Sequence, residues 1–166
     1  MSPAAMSPAP MSDAALMRRA IALSLEHSRA GDCGPFGAVV ARDGRIVAEG
    51  WNRVVASADP TAHAEVTAIR EACRVLGTHE LRGCVIYASC EPCPMCLAAI
   101  FWARLDAVFY ANAREDAAAI GFDDAFLYDQ VALPPGARAL PFTRLLQDEA
   151  RAAFWAWAQN PLKVAY

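Results

Sequence analysis

The order of elements along the chain predicts an α/β fold in three layers, α/β/α, around a mixed sheet, and three stretches carry that expectation. Two short apolar runs, Gly37 to Ala41 and Arg45 to Trp51, flank Asp43-Gly44, a two-residue turn signal that pairs strands antiparallel. Further on, Cys84 to Ala88, Cys93 to Trp102 and Ala107 to Tyr110 read as buried strand, helix and strand. Such a crossover makes its two strands parallel, with a right-handed connection. Between the two groups, Thr61 to Leu76 has helical periodicity and Gly77 as its stop, so helices are expected on both faces of the sheet.

The remaining segments follow in order. Residues 1–11 repeat Met-Ser-Pro-Ala with small residues and prolines, a composition that cannot bury enough surface to order itself, so a disordered tail is expected there. Met11 is a second candidate start, and residues 12–166 form the folded domain. Ser12 is placed to cap a first helix in which Leu16, Ala20 and Leu23 recur beside Met17, Ile21 and Leu25, with Gly31 as its stop. Asp59-Pro60-Thr61 reads as a turn followed by a cap, and Pro92 as a first-turn proline for the helix over Cys93 to Trp102. After Asp116 the pattern is irregular until Gln147 to Gln159, a helix carrying Phe154, Trp155 and Trp157. These aromatics are core by default, but they span more than one helical face, so some of them can meet another subunit.

Composition excludes several function classes. A chain of 166 residues is one domain's worth, a size that buries roughly 70 % of its unfolded surface without needing disulfides. The six cysteines are dispersed through helix-like and strand-like segments and no secretory signal precedes them, which predicts reduced thiols in a cytoplasmic protein. A net charge of −3 offers no basic footprint for nucleic acid. A membrane span needs about 20 consecutive apolar residues, and charges interrupt every alanine-rich run before that length.

Two stretches carry metal chemistry: Ser-Cys-Glu-Pro-Cys-Pro-Met-Cys at residues 89–96, and His63-Ala64-Glu65-Val66 one supersecondary unit upstream. Cys93 and Cys96 fall at the start of a helix, where the macrodipole favours the thiolate, and a spacing of three puts them on one face. Cys90 and Cys93 are also Cys-x-x-Cys by letter, but Cys90 precedes Pro92 at the end of an apolar run, where the chain is extended, and ranks as a strand-end residue. Zinc accepts cysteine and histidine together, and a catalytic zinc keeps three protein ligands and one open position. His63 is the natural third ligand. In a first helical turn the side chains of His63 and Glu65 both lean toward the helix start and so toward a metal held by the next helix. Elsewhere, His27 and His79 have no ligand-like spacing and are expected at a surface or a helix end.

His63-Ala64-Glu65 with Pro92-Cys93-x-x-Cys96 resembles the zinc nucleobase deaminases. The likeness is closer still to the bacterial guanine deaminases. It runs through Gly34-Pro35-Phe36-Gly37-Ala38-Val39, Asn52, Asp59 to Arg70, Cys90 to Cys96, Trp102-Ala103-Arg104 and Gly121-Phe122-Asp123-Asp124 to Tyr166, nearly everything after residue 12. The resemblance implies a cytidine deaminase-like fold with a central mixed five-stranded sheet and one Zn2+ per chain. It also implies hydrolysis of guanine to xanthine and ammonia, with Glu65 carrying protons between the attacking water, the ring and the departing amine. By the same likeness Asn52, Phe36, Ala64, Asp124 and Tyr166 contact the purine. The protein would be a homodimer that exchanges the C-terminal segment, about residues 147–166, so that Tyr166 closes the partner's site. The ending Pro-Leu-Lys-Val-Ala-Tyr is more apolar than the charged tail usual in that family.

Without the resemblance, Asn52 reads as turn chemistry at a strand end and Asp124 as a solvated loop carboxylate. Three other functions use the same motifs. A sibling enzyme would take guanosine or another amino-heterocycle such as cytosine or a triazine. A tRNA adenosine deaminase shares the zinc motifs, but the acidic balance, Gly-Phe-Asp-Asp and the terminal tyrosine argue against it. In a non-enzymatic binding module, Cys90 or Cys84 would close a four-ligand structural zinc site.

Overall fold

Asp43 and Gly44 both take positive φ, 51° and 70°, the backbone of a tight hairpin turn whose twist matches that of its flanking strands. The strands β1 (Gly37–Arg42) and β2 (Arg45–Trp51) pair antiparallel across it, as the turn signal predicts. The computed structural model describes residues 9–29, 31 and 33–165. The chain divides into two compact units, Met1–Tyr128 and Asp129–Tyr166.

In the first unit the sheet runs β2-β1-β3-β4. Strand β3 (Cys84–Cys90) is antiparallel to β1 and parallel to β4 (Ala107–Asn112), the latter reached through a crossover helix, α4 (Pro94–Trp102). The mixed sheet follows the expectation, but it has four strands among the described residues rather than five. After β4 the chain continues into α5 (Arg114–Ala119) and α6 (Ala125–Ala132), and the stretch beyond holds Pro134, Pro135 and Pro141. Proline lacks the N–H that a ladder needs.

Alternation along β1 divides the core. Ala38 and Val40 face a cluster with Ala64, Ala68, Ile69 and Ala72 of α3 (Ala64–Leu76) and Ile100 of α4. Val39 and Ala41 face the opposite way, onto Leu16, Ala20 and Leu23 of α1 (Asp13–Ser28) and Tyr87 of β3. Side chains of period two thus bury on both faces of the sheet, and helices cover each face, giving the α/β/α layering. Ser12 caps α1 as expected, its Oγ accepting the Ala15 N–H at 3.3 Å. Expected disorder over residues 1–11 lies outside the described residues as far as residue 8, but the Met11 N–H donates to the Gly44 carbonyl oxygen at 2.7 Å, holding that residue to the hairpin.

Two helix starts differ from expectation, and both bear on the site. Helix α3 begins at Ala64 with His63 as its N-cap, not at Thr61. Asp59 is the reason: its Oδ1 accepts both the N–H and the hydroxyl of Thr61, at 2.8 and 2.7 Å, so Thr61 is spent in an Asx turn rather than in capping. Helix α4 begins at Pro94 with Cys93 as its N-cap, so Pro94 and not Pro92 fills the first-turn position. A short helix, α2 (Val54–Ser57), precedes the Asp59 turn and was not expected.

The second unit holds the end of α6, a 3₁₀ turn at Pro135–Ala137 and α7 (Gln147–Gln159). Phe154 and Trp155 of α7 are exposed rather than core. No helix of the described residues is long and apolar enough to cross a membrane.

Candidate active site

The starts of α3 and α4 meet beyond the ends of β2 and β3, and three side chains converge there. His63 Nδ1 lies 3.6 Å from Cys93 Sγ and 3.5 Å from Cys96 Sγ, and all three ligand atoms fall within 4.8 Å of one another. With Zn–N near 2.0 Å and Zn–S near 2.3 Å, a tetrahedral angle puts nitrogen and sulfur about 3.5 Å apart. The group therefore has the donor set and the spacing of a zinc centre. Cys93 at the N-cap and Cys96 at the third helical position share a face, as their spacing requires.

Charge is arranged to match. The Cys93 thiol is lowered to about 4 by hydrogen bonding from Cys96 and, against the opposing effect of burial, by His63. Cys96 is held well above the ordinary thiol range by its bond to Cys93, by burial and by Glu65, because it would otherwise be a second buried anion. A divalent cation removes that conflict by neutralising both thiolates. His63 is raised, chiefly through its bond to Cys93. Glu65 follows His63 in the first turn of α3, is buried, and is pushed above the usual carboxylate range by that burial. A carboxyl group raised in this way holds a proton more readily than a solvated one, the property a general acid and base needs.

A cavity of about 570 Å³ opens onto this group, within the range of small-molecule sites. His63, Glu65, Cys93, Asn52, Phe36 and Asp124 all line it, so the structure brings together most residues singled out in the sequence. Asn52 is buried, and its Oδ1 accepts N–H bonds from Gly34 and Val54, both at 3.3 Å. The turn role read for Asn52 is thus present, and it turns the amide nitrogen into the group free to donate to a ligand. Phe36 meets Phe122 edge to face, ring centroids 5.0 Å apart, making an aromatic wall. Asp124 stands at the start of α6, its carboxyl raised by burial and by the Cys93 charge.

Ala64 is buried in the core at the first position of α3 and is not among the lining residues, and Tyr166 lies outside the described residues. Cys90 ends β3 as expected, donating its thiol to the Ala113 carbonyl oxygen at 3.6 Å. Neither it nor Cys84 joins the metal-competent group. His27 sits in the last turn of α1, stacked on Trp51 at 3.8 Å, and His79 follows α3. Sequence reasoning gave no role to Phe122, Glu91, Arg114 or Leu127, which also line the cavity. Phe122 was within reach, since it belongs to the Gly-Phe-Asp-Asp stretch, whereas Arg114 and Leu127 carry no spacing signal at all.

Residues 10–112 match the family model described as the cytidine and deoxycytidylate deaminase zinc-binding region. The chain belongs to this zinc deaminase family. The guanine deaminase of Bacillus subtilis (strain 168) is 51% identical over 94% of this chain and 100% of that protein. A solved structure of the Bacillus subtilis guanine deaminase superposes with a TM-score of 0.91 at 51% identity, covering 94% of this chain and 99% of the other. A tRNA-specific adenosine deaminase of Aquifex aeolicus (strain VF5) is 44% identical, but over only 46% of this chain and 51% of that protein. A tRNA-specific adenosine deaminase of Haemophilus influenzae is 36% identical over 68% of this chain and 68% of that protein, so likeness to the tRNA enzymes is both weaker and shorter than likeness to the guanine deaminase. As a member of this family the chain has zinc as its cofactor, on a His/Cys/Cys group suited to it.

Proposed function

We propose that this chain is a guanine deaminase, hydrolysing guanine and water to xanthine and ammonia. The observation that carries the reading is the near-full-length match at 51% identity to a guanine deaminase, over a chain that puts a zinc-type His/Cys/Cys group beside a buried glutamate.

His63, Cys93 and Cys96 would hold the ion beside the cavity that His63 and Cys93 line. When bound, zinc supplies a Lewis acid that brings the pKa of water toward neutrality. Glu65, next to His63 and shielded from solvent, takes the proton of the attacking water and gives it to the ring, then carries a second to the departing amine at C2. Its burial raises its proton affinity above that of an ordinary carboxylate. Asn52 donates through its amide nitrogen to an acceptor of the base, its oxygen being already engaged by Gly34 and Val54. Phe36 and Phe122 cover the planar ring, and Asp124 accepts from the N–H edge. The Ala64 main chain would add a further contact.

The enzyme acts in purine catabolism in the cytoplasm, a reading supported by Cys73, Cys84, Cys90, Cys93 and Cys96, which stand reduced among the described residues. It works as a homodimer whose C-terminal segment crosses to the partner, with Tyr166 closing the partner's cavity. Support comes from the exposed Phe154, Trp155 and Leu162, apolar side chains that a lone chain leaves in water.

Ammonia release from a panel of guanine, guanosine, adenine, cytosine and amino-triazines by the zinc-loaded protein tests the reading. Turnover of guanine well above every other compound is expected. Release from guanosine or a pyrimidine with none from guanine would overturn it.

A further inference from the structure

Four ties hold the loop Glu91-Pro92 that leads into α4. The Glu91 N–H donates to the Asn112 carbonyl oxygen at 2.9 Å, the Cys90 thiol to Ala113, and the Arg114 N–H to Glu91 Oε2 at 3.4 Å. These three join the loop to the end of β4, its neighbour in the sheet. The fourth comes from elsewhere: Tyr128 donates its hydroxyl to the Pro92 carbonyl oxygen at 3.3 Å, across 36 residues. Pro92 immediately precedes Cys93, and Tyr128 sits one turn into α6, with its N–H and that of Leu127 bonded to the Asp124 carbonyl oxygen at 3.3 and 2.9 Å. The Asp123 side chain adds a bond to the Ala125 N–H at 2.9 Å, which fixes the start of that helix.

We infer that Tyr128 is a positioning residue, a strut whose hydroxyl sets the separation between Asp124 and the Cys93/Cys96 pair and so the fit of a purine between the acid and the metal. One side chain thus links the start of the acid's helix to the start of the metal's helix. The guanidinium of Arg114 lies over the Tyr128 ring, 5.1 Å from its centroid, and holds the ring in that orientation. Burial and the nearby Asp124 and Glu91 carboxylates keep the phenol above its ordinary range, hence protonated and donating. Tyr128 belongs neither to the metal-competent group nor to the residues that line the cavity, but it contacts the lining residues Asp124 and Arg114, so it acts through Asp124 and Pro92 and not on the substrate.

This inference rests on the guanine deaminase reading. Its test compares the zinc-loaded full chain with Tyr128→Phe, which keeps the ring and removes one hydroxyl, in wild-type and Asp124→Asn backgrounds. Tyr128→Phe is expected to raise the KM for guanine about three- to tenfold, the size of one neutral hydrogen bond, with kcat within about twofold and zinc still at one per chain. In the Asp124→Asn background the same change should shift KM by less than about twofold, since the strut then has no acid to place. A merely structural tyrosine would lower kcat and zinc content together and act equally in both backgrounds. An unchanged KM, or the same factor with and without Asp124, overturns the inference while guanine turnover by the wild type still stands. Absence of that turnover removes the functional reading itself.

Discussion

Gly50 of β2 lies so close to Ala64 of α3 that a Cβ built on the glycine would fall 2.4 Å from the Ala64 carbonyl oxygen and 2.5 Å from the Ala68 nitrogen. Both contacts are with backbone, which cannot rotate away. A glycine inside a strand marks such an approach, and here it lets the helix start that bears His63 and Glu65 settle onto the sheet. Gly50→Ala should cost about 1–3 kcal/mol through overpacking. It should also loosen zinc, seen as faster metal loss to a chelator alongside a lowered Tm. A variant with native stability and native zinc retention would show that α3 has slack the structure does not reveal.

The metal group makes a clean separation among the cysteines. Cys93→Ala and Cys96→Ala should each abolish stoichiometric zinc, because each removes one of three donors. Cys90→Ala should keep one zinc per chain and lose only the hydrogen bond to Ala113, a cost of about 1 kcal/mol. Metal analysis of the purified variants decides it, and an empty Cys90→Ala protein would move the ligand assignment.

Glu65→Gln preserves the size of the side chain but cannot shuttle protons. The variant should bind zinc and melt close to wild type while turnover falls by at least about 100- to 10,000-fold, the contribution usual for a general acid–base group. Steady-state ammonia release on zinc-loaded protein measures this. A rate near wild type would take Glu65 out of the chemistry.

Acid stability should depend on one ion pair between α1 and β2. Arg19 grips Glu49 with two nitrogens, each 2.8 Å from a carboxylate oxygen, and this holds Glu49 below its ordinary pKa despite partial burial. With a lowered folded value, the unfolded chain binds the proton first, so the stabilisation is present above about pH 4.5 and is lost as pH falls through the folded value. Urea midpoints measured from pH 6 to pH 3 should therefore fall more steeply for wild type than for Glu49→Gln. Parallel curves would mean that the pair is too solvated to matter.

Deleting residues 161–166 should leave zinc in place, as no candidate ligand lies there, while guanine binding and turnover drop together. After subunit exchange, a mixture of the truncated chain with full-length Glu65→Gln should exceed the summed activities of the two. On the proposed exchange of the C-terminal segment, the truncated subunit of a mixed dimer would keep Glu65 and receive the missing tail from its inactive partner. Full activity of the truncated chain alone would show the tail to be dispensable.

Local chemistry was legible in the sequence wherever a residue type forces a local geometry. Asp43-Gly44 demanded a hairpin, Ser12 capped α1, Cys84 to Cys96 announced a strand and a helix start, and His-x-Glu with Cys-x-x-Cys pointed to a metal group once the extended chain at Cys90 and the family resemblance were added to the spacing. What failed locally did so through competition between neighbours. Thr61 looked like a cap until Asp59 captured its hydroxyl, and Pro92 looked like a first-turn proline although Pro94 was the better-placed one. The fold decided the remainder, because it depends on contacts between distant segments: Phe122 against Phe36, Tyr128 against Pro92, and Gly50 against Ala64. Sequence spacing reports neighbours on one helix or strand. Pairs brought together from 14 to 86 positions apart are fixed only when the sheet and its helices pack.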